Sequence, residues 1–112
     1  DGDGTDGGGG APLKLGVADV LSLMGRCQLL SGDHGRSLEL CREALRLRRA
    51  ALGDSHPLVA ATVYNVGAVL SAGGDAAGAV EHVRYFVTHP AVRSDPRYAQ
   101  HLAEGLRCLA DL

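Results

Sequence analysis

A block of this chain repeats itself at an offset of 42 residues. When residues 17–45 are laid over residues 59–87, seven of the 29 aligned positions are identical: Val17/Val59, Ala18/Ala60, Gly25/Gly67, Gly32/Gly74, Asp33/Asp75, Glu39/Glu81 and Arg42/Arg84. A copy at a spacing of about 20 to 50 residues is the signature of an array, in which each unit buries against the next an apolar face that it cannot bury alone. A stacked chain that presents surface is therefore expected before any catalytic question arises.

Period and punctuation give the elements. Apolar residues at helical spacing (Val17, Val20, Leu21, Met24, Cys27) run over about 15–30 and stop before Gly32, a residue favoured just past a helix end. Asp33 is a preferred N-cap, and Leu38, Cys41, Ala44 and Leu45 carry a second helix to about Leu52, before Gly53. Pro57 suits a first helical turn, and Val59, Val63, Val66 and Leu70 form the third stripe as far as Gly73-Gly74. Asp75 then caps a fourth helix with Ala79, Val80, Val83 and Phe86. A break at 88–94 holds Pro90, and Asp95-Pro96 opens a final helix through Leu102, Leu106 and Leu109. Five helices and no strand are expected.

Composition narrows the class. Residues 1–10 contain only Gly, Asp and one Thr, which cannot bury a core, so a flexible linker over 1–12 and a helical domain over 13–112 are expected. A hydrophobic content of 46% with a formal charge of −2 fits a soluble globular domain and gives no nucleic-acid signal. No apolar stretch reaches the roughly 18 residues of a membrane span, and the N-terminal residues lack the basic and apolar regions of a signal peptide, so none is expected. Cys27, Cys41 and Cys108 follow no paired spacing, so reduced thiols in an intracellular, cytoplasmic setting are expected. The opening Asp in place of Met suggests an excerpt from a longer protein.

The order helix A, Gly-Asp turn, helix B resembles the tetratricopeptide repeat. It places glycine within helix A (Gly25, Gly67), glycine at the turn (Gly32, Gly74) and a small residue early in helix B (Ser37, Ala79). The stretch from Leu52-Gly53-Asp54-Ser55-His56-Pro57 to Thr62, followed by Asn65, is similar to the 42-residue repeat of kinesin light chains and related adaptors. The implied fold is an all-α solenoid of two hairpins, at about 15–52 and 57–88, with a capping or partial-repeat helix at about 95–112. A glycine inside a helix costs about 1 kcal/mol relative to Ala. Two at equivalent positions therefore imply that helix B crosses too close for a methyl group. The aromatics common in the family are missing: Leu21 and Val63 replace the early one, and Gln28 and Leu70 stand where tyrosine is frequent. A core of Leu, Val and Ala buries less area, so stability below the usual range of about 5–15 kcal/mol is expected.

The resemblance also implies a site: A helices lining a groove that takes an extended peptide or a partner helix. Carried over residue by residue, the groove positions are Asp19, Ser22, Leu23, Arg26 and Leu30, then Ala61, Tyr64, Asn65, Ala68 and Ala72. Asn65 can donate and accept at once, as holding a peptide backbone requires, though it could equally bond within the array. Tyr64 would add flat apolar area, with Asp19 and Arg26 setting charge preference. Only Arg26 and Asn65 match the clamp by which some members grip a terminal carboxylate, so that activity is not expected.

Other residues have plainer readings. Arg42, Arg46, Arg48 and Arg49 read as a solvated helix face near a C-terminus that favours cations. Cys27 and Cys41 read as facing core thiols. Residues 1–5 are similar to the start of an EF-hand loop, but Asp6 and Pro12 stand where Gly and Glu are required. The five histidines show no ligand spacing, and Asp54-Ser55-His56 is a turn and cap rather than a triad. No cofactor, metal or catalysis is expected. Three functions stay open: an adaptor binding a protein or peptide, self-association through the terminal helix, and a docking accessory to an enzyme domain lying elsewhere.

Overall fold

In the computed structural model, which describes residues 10–111, every regular element is helical. The order is α1 (Ala11–Leu30), α2 (His34–Leu52), α3 (Pro57–Ala72), α4 (Ala76–Val87), α5 (Pro90–Arg93) and α6 (Ala99–Ala110), with a 3-10 turn at Pro96–Tyr98. Each helix packs on the next, α1 on α2, α2 on α3 and α3 on α4, and α6 lies against α4. The result is an elongated stack of 49 × 34 × 20 Å. The stretch 88–94 is a one-turn helix rather than a plain break, and α1 starts at Ala11. The EF-hand-like residues 1–5 lie outside the described residues.

The punctuation works as local chemistry dictates. Asp33 Oδ1 accepts from the Arg36 amide at 3.0 Å and Asp75 Oδ1 from the Gly78 amide at 2.9 Å. These are the same N-cap one repeat apart. The preceding glycines, Gly32 and Gly74, hold φ of 90° and 95°, where a side chain is strained. His56 and His89 each stand before a first-turn proline, and each Nδ1 accepts from the amide two residues on. With Nδ1 accepting, His89 donates from Nε2 to the Asp54 carbonyl at 2.9 Å, tying α5 back to the loop between the hairpins.

Each hairpin closes on a glycine. A methyl group at Gly25 would lie 2.8 Å from Cys41 Sγ, and one at Gly67 would lie 2.9 Å from His82 Cβ. Ser37 reinforces the first crossing by donating to the Gly25 carbonyl at 2.7 Å. Two clusters then fill the stack. Cys41, Val66, Val69, Leu70 and Ala79 join α2, α3 and α4, while Ala60, Val83, Phe86, Val87 and Val92 form the second, covered by Leu102 and Leu109 of α6.

Three expectations need correction. Cys27 is exposed, and only Cys41 is a core thiol, its pKa pushed up by burial. On α6 it is Gly105 that meets Val83 and Val87, while Leu106 turns outward at 46% exposure. On α1 the core face is built on Ala18 and Gly25, with Val17, Val20 and Met24 exposed. No helix among the described residues is long and apolar enough to cross a membrane.

Because Gly67 meets a Cβ, not the far end of a flexible chain, Gly67→Ala is expected to lose about 1–3 kcal/mol from overpacking, despite alanine's better helix propensity. Urea unfolding measures it, and a stabilised variant would show that the two helices can part.

Candidate interaction groove

The candidate groove starts from the helical period. Residues 19, 23, 26 and 30 fall on one strip of α1, and 61, 65, 68 and 72 fall on the same strip of α3, 42 positions on. In α3, Asn65, Ala68 and Ala72 are exposed and Ala61 is half-buried. In α1, Asp19 and Arg26 are exposed, with Leu23 and Leu30 at 57% and 88%. Both are large apolar side chains left open on a packed helix.

The third member of the row is α6. Setting Gly105 on Gly67 shifts the register to 38 residues and puts Ala99, Ala103, Leu106 and Ala110 at the strip positions, all four of them exposed. The sequence carried this signal in Gly105, hidden because it stands 38 and not 42 residues after Gly67. Small residues thus line α3 and α6, with Leu23, Leu30 and Leu106 standing above them.

A buried arginine joins the first two A helices. Arg48, at 7% exposure, reaches from α2 between α1 and α3. Its Nη1 donates to Thr62 Oγ1 and its Nη2 to Asp19 Oδ1, both at 2.9 Å, and Thr62 donates onward to the Leu58 carbonyl at 2.7 Å. Nε is left without a partner. Arg48 therefore does not belong to the solvated basic face, where Arg42, Arg46 and Arg49 remain exposed. Sequence alone missed it because a residue four positions from a helix end reads as surface, and its partners stand 29 and 14 residues away.

The two remaining groove residues turn inward. Ser22 is half-buried. Tyr64, one repeat on, lays its ring 4.7 Å from Phe86 and meets His101 edge-on at 6.4 Å. Burial raises the pKa of its phenol. It also lines a cavity of about 430 Å3 between α3, α4 and the end of α6, together with Gly67, Ala68, Ser71, Cys108 and Leu109. Asp19, Arg26, Asn65 and Ala68 therefore share the open strip, while Tyr64 and Ser22 belong to the packing beneath it. Among the described residues, no group of three or more His, Cys, Asp or Glu is placed to hold a metal ion.

Arg48→Ala is expected to lower stability by about 2–4 kcal/mol, since it strips Thr62 of a donor and opens a crevice. Asp19→Asn, at an exposed position, should cost under about 1 kcal/mol. Denaturant titration of both variants tests this asymmetry, and equal effects would refute it.

Residues 16–84, more than half of the chain, match the family model described as tetratricopeptide repeat. Comparison with characterised proteins returned no match.

Proposed function

Because the chain belongs to the tetratricopeptide repeat family, whose repeats generally mediate protein–protein interaction, we propose that the strip shared by α1, α3 and α6 is its partner-binding groove. The observation that supports this most is the set of open aliphatic side chains, Leu23 and Leu30 on α1 and Leu106 on α6, standing at equivalent strip positions of the first and third A helices. Apolar side chains of a partner would cover them. The small residues between, Ala61, Ala68, Ala72 and Ala103, let a backbone approach closely.

Polar groups are few and set orientation. Asn65 is exposed and carries both donor and acceptor, suited to a main-chain amide of the partner. Arg26 is exposed and unpaired among the described residues, whereas Asp19 is engaged by Arg48, so the accessible charge favours an acidic residue of the partner. Such a groove takes a peptide or helix with two or more apolar side chains on one face, and it needs no chemistry of its own. Tyr64 would act from below, holding α3 against α6.

Partners recovered with the whole chain are the ones to test on groove variants. Leu23→Asp and Asn65→Ala are expected to weaken each such interaction at least about tenfold, roughly 1.4 kcal/mol. Arg46→Ala, on the outer helix α2, should leave it unchanged. Binding kept by both groove variants and lost with Arg46→Ala would move the site to the outer face.

A further inference from the structure

A second apolar surface lies on α1, away from the groove strip, and does not depend on the groove being a binding site. Leu13, Val17, Val20, Met24 and Cys27 recur at three- and four-residue spacing, forming a seam about 21 Å long. All five are exposed. The internal repeat shows what such a seam accepts. The copies of Val17, Val20, Met24 and Cys27 in α3 are Val59, Thr62, Val66 and Val69, every one of them buried, on a helix that α2 covers. Among the described residues, the α1 seam is the same helix face without a covering helix.

We propose that this seam is a self-association surface, covered by α1 of a second copy running antiparallel to it. Within a copy, α2 is flanked by α1 and α3, and α4 by α3 and α6, so neither has an open seam to offer. The terminal helix exposes only one large apolar side chain, Leu106. Charge does not oppose the pairing, because Lys14, Asp19 and Arg26 all lie to the sides of the seam. Shape favours it. The first half of the seam holds a shallow hollow of about 370 Å3 around Gly16, walled by Leu13, Val17 and Val20, and the second half carries Met24 as a flexible knob. A two-fold axis beside Val20 sets the Met24 of each copy over the hollow of the other, and Val20 beside its own image. The interface is thus isologous and closes at two copies.

Sedimentation of the full chain from about 1 μM to about 1 mM tests this. A reversible monomer–dimer equilibrium is expected. Val20→Glu and Val20→Lys should each weaken it about a hundredfold with helicity unchanged, since like charges meet across the axis. Mixing the two variants should restore a heterodimer, and Leu106→Glu should change nothing. A monomer throughout the range would overturn the proposal, as would a dimer lost with Leu106→Glu but kept in the Val20 variants. Failure of the mixed variants to pair would overturn it too. So would a monomeric chain that binds a synthetic helix of residues 34–52 on the seam, which would assign the face to a partner resembling α2.

Discussion

The close crossing of paired helices at Gly25 and Gly67 is the constraint on which the rest is built. With no Cβ at those points, α2 comes within reach of the α1 backbone and α4 within reach of α3. The short distance lets a core of Val, Ala, Cys and Leu fill the space, with Phe86 the largest fully buried side chain. Side chains of this size could not span a wider gap.

Much of this was legible along the chain. The Gly-Asp turns, the capping Asp33, Asp75 and Asp95, and the first-turn prolines are local signals whose partners lie within four residues, and the structure carries all of them. That residues 23, 26, 65 and 68 share one strip needs only 3.6 residues per turn, whereas the choice of that strip as a groove came from the family resemblance.

What sequence hid depends on contacts made at a distance. Val17, Val20 and Met24 look like a core stripe by period, yet burial requires a neighbour, and among the described residues none packs there. Arg48 looks solvated because Thr62 and Asp19 meet it only once three helices are assembled. Tyr64 looks available by repeat position, but α6 docks over it through Gly105, at a register of 38 that a search at 42 passes over.

The Arg48 link has a mechanical meaning. One guanidinium is fastened to the helix before its own and to the helix after it, so adjacent hairpins share a rivet as well as a greasy seam. Bending the stack to widen the angle between α1 and α3 would have to stretch that rivet. Opening the first joint therefore works against two hydrogen bonds held on one side chain.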